Sequence, residues 1–186
     1  MSASTASTGR PDSARYRVNN AAKVTMGEVV SASDADWRAT FAAGADAVFT
    51  GTRAALRVMI PQGSGAIVNI SSTNGRRAMP HMGAYSASKA ALIQFSKVAA
   101  MEAAPHGVRV NALAPGLVLT PGNAAFFKTQ PEARNAAEGA IPAGRGADPD
   151  EIASAIRFLL SDDSTYVNGV CLDVDGGKAA QLYTPG

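Results

Sequence analysis

The fold is decided by the stretch Ala66-Ile67-Val68-Asn69-Ile70-Ser71-Ser72, a β-branched run that follows the break Pro61-Gln62-Gly63. Residues 66–70 place apolar side chains on both faces of a strand, which is typical of a strand buried within a parallel sheet. Parallel strands need long crossover connections, and these are usually helices. The stretch therefore predicts one strand of a mainly parallel α/β sheet.

Helical patterns flank this strand on both sides. The first opens at Ser33, a capping residue followed by acidic residues that suit the helix dipole, and continues to about residue 60. The second extends from about residue 84 to 103, where Pro105-His106-Gly107 breaks it. We also expect a weak strand within 15–22, strands at 108–113 and 169–174, and a last helix at 148–160. Residues 117–147 contain three prolines and are predicted to be irregular.

Composition excludes several classes of protein. The 186 residues suffice for one domain with a real core, and the net charge of +2 without a basic cluster gives no case for nucleic acid. Cys171 is the only cysteine, so we expect a buried structural residue, no internal disulfide and no metal site. The sequence has no run of about 18 apolar residues and no secretory signal, which predicts no membrane segment and a cytoplasmic location.

Tyr85 and Lys89 indicate a site for proton transfer. Residues four apart share one face of a helix, and a strand that ends at Ser72 can deliver a hydroxyl to the same place. A tyrosine needs its pKa lowered by roughly 3 units to act near neutral pH, and one nearby cation supplies about 1–3 units. We therefore expect a second positive charge, such as an oxidised nicotinamide ring, to assist Lys89. Taken alone, the pair is more often an ordinary exposed tyrosine and lysine on a helix than a catalytic pair.

Two further segments follow predicted strands. Asn19-Asn20 can approach a cofactor through side chain and backbone, or form a simple turn. The backbone of Pro115-Gly116 and the residues up to Thr120 can meet a flat polar ligand, or simply lead from a strand into a loop. In an open parallel sheet, ligands bind at the carboxyl ends of the strands. Each segment alone is weak evidence, but their order and spacing together are specific enough to indicate one family of proteins.

These pieces resemble, in order and spacing, the short-chain dehydrogenase/reductase family. The resemblance covers about residues 18–178 and implies a Rossmann-like parallel sheet with flanking helices. It is carried by Asn19-Asn20-Ala21-Ala22, Val68-Asn69-Ile70-Ser71-Ser72, Tyr85-Ser86-Ala87-Ser88-Lys89, Arg109-Val110-Asn111, Pro115-Gly116 with Thr120, and Val174-Asp175-Gly176-Gly177.

The resemblance implies an NAD(P)-dependent oxidoreductase that interconverts a carbonyl and an alcohol. By that analogy Tyr85 exchanges the proton, Lys89 lowers the pKa of Tyr85 and holds the nicotinamide ribose, and Ser72 binds the substrate oxygen. The cofactor is NAD or NADP, and the sequence does not distinguish them. The other implied cofactor-binding residues are Asn19, Asn20, Ala21, Pro115, Gly116, Val118 and Thr120, and the implied partners are a small alcohol or ketone and further copies of the chain in a dimer or tetramer. By the same analogy the loop from Thr120 to about Arg145 covers the substrate. Arg76, His81, Met82 and the loop 117–147 either line its site or are ordinary surface loop, and surface loop is favoured for any one of them.

Two departures from the family pattern stand out. The Gly-rich turn and first βαβ units that hold the cofactor phosphates have no counterpart before Asn19, so we expect a leader at 1–14 and a partial Rossmann-like domain at 15–186. The strand at Asn19 then becomes an open sheet edge, which predicts a marginally stable, aggregation-prone chain. Gly44 stands where an active-site Asn usually bends the helix and holds a water, and a glycine is not expected to do either.

Three hypotheses follow from these observations. The first is an oxidoreductase of the kind described. The second is a non-catalytic, truncated fragment or an associating subunit that cannot hold the dinucleotide, because the helices at about 34–60 and 84–103, the last helix and the last strand carry the family's oligomer contacts. The third is an unrelated binding module of Rossmann-like shape, which requires the joint spacing to be coincidence.

Overall fold

The sheet contains four parallel strands in the order in which they occur along the chain. The structure is a computed structural model that describes residues 14–181, so the predicted leader lies almost wholly outside the described residues. The strand order is β1-β2-β3-β4, and every neighbouring pair is parallel. The predicted α/β sheet is thus confirmed, with all carboxyl ends along one edge. The strands are β1 (Tyr16–Asn19), β2 (Gly65–Ile70), β3 (Val108–Pro115) and β4 (Cys171–Val174).

Six α-helices connect the described strands. The two long predicted helices and the last one are present, and their capping signals hold, since Ser33 accepts from the Asp36 amide and Asp148 with Glu151 forms a capping box. None of the helices in residues 14–181 is long and apolar enough to cross a membrane. The helices are α1 (Asp34–Phe41), α2 (Ala47–Gln62), α3 (Gly83–Ala103), α4 (Pro121–Thr129), α5 (Pro131–Gly139) and α6 (Pro149–Leu160).

A π-helical turn, Ala42–Asp46, separates α1 from α2 within the single helix that the sequence predicts. Gly44 is buried in this turn, and a Cβ added there would lie only 2.9 Å from the Ser88 hydroxyl oxygen on α3. Such turns are where helices bend. The small size of Gly44 lets α3 approach the turn closely. The expectation that a glycine does not replace the Asn in holding a water stays a prediction.

Residues 117–147 are the second place where the structure departs from the sequence prediction. The segment is not irregular, because it forms α4 and α5, each of which begins at a proline. A proline at the first helical position sacrifices no intrahelical hydrogen bond and has a helical φ already fixed. Pro121 and Pro131 are therefore helix starts rather than breaks.

The core lies on both faces of the sheet. Helices α2 and α3 cover one face, where Met59, Ile67 and Val110 are buried, and α6 covers the other, where Val68 and Leu113 are buried. The prediction for cysteine is only partly right: Cys171 on β4 is half-buried, although it packs against the first face.

A buried network of amides and hydroxyls ties β1, β2, α2 and α3 together. The Asn69 side-chain oxygen accepts from the Asn19 amide (2.8 Å) and the Thr52 hydroxyl (3.3 Å). The Asn69 amide donates to the Ser96 hydroxyl at 2.9 Å. All four residues are at most 5% exposed. Polar groups this deeply buried are tolerated because each finds a partner.

Replacing Asn69 with Ala should lower the free energy of unfolding by about 2 kcal/mol, since it leaves buried donors and acceptors unpaired. Urea denaturation followed by circular dichroism measures the change. Asn135→Ala on the exposed surface of α5 is the matched control and should stay within about 0.5 kcal/mol of the parent. Equal losses of unfolding free energy in both variants would show that the buried network adds no more stability than a surface asparagine does.

β1 is an edge strand of the described sheet. It pairs with β2 alone, and its side chains Tyr16 and Val18 are 50% and 38% exposed. Both lie on the face that α6 covers over β2 and β3. Exposed apolar side chains on an unpaired strand edge favour association, and the predicted tendency of the chain to aggregate stays a prediction.

Candidate active site

Tyr85, Lys89 and Ser72 meet at the carboxyl edge of the sheet. Tyr85 and Lys89 lie in the first two turns of α3, and Ser72 follows the end of β2. The Lys89 ammonium nitrogen lies 5.8 Å from the centre of the Tyr85 ring and donates to the Ile70 carbonyl at 2.7 Å. The helical spacing and the strand end predicted from the sequence thus bring the three side chains together.

Burial governs the electrostatics of this cluster. Lys89 is only 2% exposed, and desolvation lowers its pKa to about 8. Burial raises the pKa of the Tyr85 phenol, and hydrogen bonding with the Ser72 side chain offsets part of that rise. The net shift of the Tyr85 pKa is upward, and the role that the resemblance implied for Lys89, lowering this pKa, stays a prediction. The phenol is therefore protonated at neutral pH and is set up to donate a proton.

Two residues that sequence reasoning missed fix the α3 backbone at Lys89. The Ser71 hydroxyl donates to the Lys89 carbonyl at 3.0 Å. Gly75 packs so closely that an added Cβ would lie 2.8 Å from the Lys89 carbonyl carbon. Ser71 is adjacent to a predicted site residue, but no feature of the sequence marks its contact with α3.

The Asn19 side chain is turned away from the site. Its side-chain amide donates to Thr52 and Asn69 within the buried network, so the backbone is the part of Asn19 that faces the edge of the sheet, and its predicted approach to a cofactor stays a prediction. Asn20 and Ala21 are exposed just beyond the carboxyl end of β1, on the same edge as Ser72.

The segment after β3 forms a narrow turn beside the end of β4. Gly116 lies against Asp175, where an added Cβ would come within 2.8 Å of the Asp175 Cβ. Val118 forms a parallel bridge with Ala147, and Thr120 caps α4 by accepting from the Asn123 amide at 3.3 Å. The predicted run from Pro115 to Thr120 thus lies at the same edge of the sheet as Tyr85.

A second isolated β-bridge holds the residues that lead into α3. His81 has a left-handed φ of 66°, which is uncommon for a residue with a side chain. Its carbonyl accepts from the Gly27 amide at 2.9 Å, and Gly27 also bridges Met82. The loop between β1 and α1 is thereby held against the residues just before Tyr85. The sequence pointed to His81 and Met82 but gave no signal for Gly27.

The donor set at this edge suits the nicotinamide end of a dinucleotide. A lysine ammonium close to a phenol can hold ribose hydroxyls, and the outward-facing backbone amide and carbonyl of Val118 are of the kind that a carboxamide pairs with. In this structure the Val118 carbonyl accepts from the Asn123 side chain. Among residues 14–181, no cluster of three or more His, Cys, Asp or Glu side chains is arranged to hold a metal ion.

Known proteins match most of the chain. The family model for "Enoyl-(Acyl carrier protein) reductase" matches residues 3–179. The chain therefore belongs to the short-chain dehydrogenase/reductase family of oxidoreductases, as its resemblance to that family predicted.

Among curated relatives, cyclopentanol dehydrogenase from Comamonas sp. (strain NCIMB 9872) is 39% identical over 163 residues, which cover 88% of this chain and 65% of that protein. A 3-oxoacyl-[acyl-carrier-protein] reductase from Thermotoga maritima is 40% identical over 160 residues, covering 86% of this chain and 64% of that protein. The chain thus spans slightly less than two thirds of the length of these relatives.

Solved structures share the fold. A putative gluconate dehydrogenase from Agrobacterium tumefaciens superposes with a TM-score of 0.86 at 32% identity, covering 90% of this chain and 66% of the other. ElxO with NADP bound gives a TM-score of 0.87 at 27% identity, covering 90% of this chain and 68% of the other. The Rossmann-type fold is therefore confirmed, with an NADP-binding protein among its neighbours.

Proposed function

We propose that this chain serves an NAD(P)-dependent interconversion of a carbonyl and an alcohol, with Tyr85 as proton donor and acceptor. The observation that carries the proposal is the cluster of Tyr85, Lys89 and Ser72 at one sheet edge, with the Lys89 ammonium nitrogen 5.8 Å from the phenol ring. Membership of an oxidoreductase family supports the reaction class. The substrate is a small alcohol or ketone, and cyclopentanol and a 3-oxoacyl thioester are the first to test, because relatives are named for them.

Each side chain has a distinct task in this proposal. The Ser72 hydroxyl binds the substrate oxygen beside the phenol, and Tyr85, which burial keeps protonated, gives its proton to that oxygen. With a pKa of about 8, Lys89 is mostly charged at pH 7 and stabilises the phenolate that remains. When bound, the nicotinamide cofactor supplies or accepts the hydride.

The residues proposed to hold the nicotinamide end lie on three segments. Lys89 and Tyr85 reach the ribose from α3, and the backbone of Asn19 with Asn20 and Ala21 lines the cleft from β1. Pro115, Gly116, Val118 and Thr120 line it from the turn after β3. The NADP-bound neighbours make NADP the first cofactor to test, with NAD beside it.

A second candidate function is a non-catalytic associating subunit. It is favoured by the open edge of β1 and by the length of the curated relatives, about a third of which lies outside the match. Self-association through α2 and α3 is part of either proposal, because a groove of about 360 Å³ there exposes Phe49 and includes Leu56, Ile60 and Phe95. A cytoplasmic location is proposed for both functions.

Titration of the chain with NADPH and with NADH, followed by nicotinamide fluorescence, tests the first function. We expect saturation of at least one of them below millimolar concentration. Lys89→Met should weaken that binding about 10-fold or more, since a hydrogen bond from a charged donor is lost. Lys97→Met, on the exposed side of α3, is the matched control and should bind as the parent does. No saturation by either nucleotide at millimolar concentration would leave only the second function.

A further inference from the structure

The backbone amide and carbonyl of Val118 face the outside of their turn. Its neighbours make the bridge to the next segment, because the Ala147 amide donates to the Leu117 carbonyl (2.9 Å) and the Leu119 amide donates to the Ala147 carbonyl (2.8 Å). In a parallel bridge of this kind the central residue directs its own N–H and C=O to the opposite side. The Val118 amide and carbonyl therefore face away from Ala147, side by side.

The Asn123 side chain already occupies part of this edge. Its amide nitrogen donates to the Val118 carbonyl at 2.8 Å, and its backbone amide donates to the Thr120 hydroxyl at 3.3 Å. The side chain of asparagine ends in a primary carboxamide, which carries two donor hydrogens and one acceptor oxygen. The nicotinamide ring carries the same group, so the two compete for one acceptor.

We propose that Asn123 is an internal competitor for the carboxamide subsite at Val118 and Thr120, and that it sets how tightly the chain binds a nicotinamide cofactor. This inference rests on the proposed function, since it concerns the same cofactor site. Binding of the cofactor requires Asn123 to leave the Val118 carbonyl. The measured affinity is therefore the intrinsic affinity multiplied by the fraction of chains in which this contact is open. A typical intramolecular hydrogen bond shifts such an equilibrium roughly five- to ten-fold. The contact is exposed and local, so releasing it does not require unfolding.

Isothermal titration of the whole chain with NADP⁺ tests the competition. Asn123→Ala should bind NADP⁺ roughly five- to ten-fold more tightly than the parent. The nicotinic acid analogue of NADP⁺ carries a carboxylate, which cannot donate to the Val118 carbonyl, so its affinity should change less than about two-fold. Asn135→Ala, an exposed asparagine-to-alanine change on α5, is the control and should leave both affinities unchanged.

The outcomes separate this inference from the proposed function. Equal NADP⁺ affinity in Asn123→Ala and the parent overturns the role of Asn123 and leaves the proposed function intact. An equal gain for both dinucleotides also overturns it, since general loosening of α4 would then explain the change. If Asn123→Ala binds NADP⁺ alone more tightly but no Tyr85-dependent turnover is seen, the role of Asn123 as a competitor is supported and the proposed function is contradicted. No binding of NADP⁺ by either chain contradicts both.

Discussion

Replacing Tyr85 with Phe should lower turnover of a ketone about 10²- to 10⁴-fold, the usual contribution of a positioned acid or base. The change removes one oxygen from a half-buried side chain and keeps the ring that packs beside Lys89. Proton transfer to the substrate oxygen should therefore be lost, while NADPH still binds through Lys89 and the backbone segments, weakened only by the loss of the phenol's contact with the ribose. Oxidation of NADPH with cyclopentanone or a 3-oxoacyl thioester, followed by absorbance, measures the effect.

Tyr166→Phe provides the matched control for this loss. Tyr166 is fully exposed and lies at the opposite, amino-terminal side of the sheet, beside Tyr16 and Gly65. Its removal should leave turnover within about two-fold of the parent, since surface substitutions away from a site do little. Full activity in Tyr85→Phe would exclude the phenol as proton donor, whatever the control shows.

Replacing Lys89 with Met should change how stability depends on pH. The folded pKa of Lys89 is about 8, below its ordinary value of 10.5, because the side chain is buried. Above pH 10.5 the amine is neutral in both states. Between pH 10.5 and 8 the unfolded chain takes up a proton that the folded chain does not, so stability falls as the pH falls. Below pH 8 both states are protonated and the loss is complete, at about 3 kcal/mol.

Lys89→Met lacks this titration, so its unfolding free energy should rise relative to the parent by about 3 kcal/mol from pH 10.5 to pH 8. Urea denaturation at half-unit intervals of pH measures the difference. Lys97→Met, which removes an exposed lysine from the same helix, is the matched control and should not reproduce this rise. A flat difference for Lys89→Met would mean that the buried amine titrates as it does in water.

The parts of the fold that the sequence predicted are those set by local periodicity and strong end signals. The strand at 65–70 was recognisable from its apolar faces, and α6 from its capping box. Helices α4 and α5 were missed because proline has opposite meanings inside a helix and at its first residue, and only the following residues distinguish the two. The turn at Gly44 was missed because it depends on contact with Ser88, a residue on another helix.

The candidate site was also predictable only where local geometry determines it. The spacing of Tyr85 and Lys89 followed from helix geometry alone. The direction of the tyrosine pKa did not, because it depends on how deeply the fold buries the phenol and on the opposing hydrogen bond with Ser72. The roles assigned to these side chains remain predictions for the experiments above.

The edge position of β1 gives a direct reporter of whether anything binds there. The Arg15 carbonyl accepts from the Ala66 amide, so Arg15 and Arg17 direct their peptide groups toward β2, and Tyr16 and Val18 direct theirs outward. Amide hydrogen exchange along this short strand should therefore alternate, slow at Arg17 and fast at Tyr16 and Val18. A strand bound along the edge would protect the fast amides and remove the alternation, so the exchange rates of three residues report the occupancy of the whole edge.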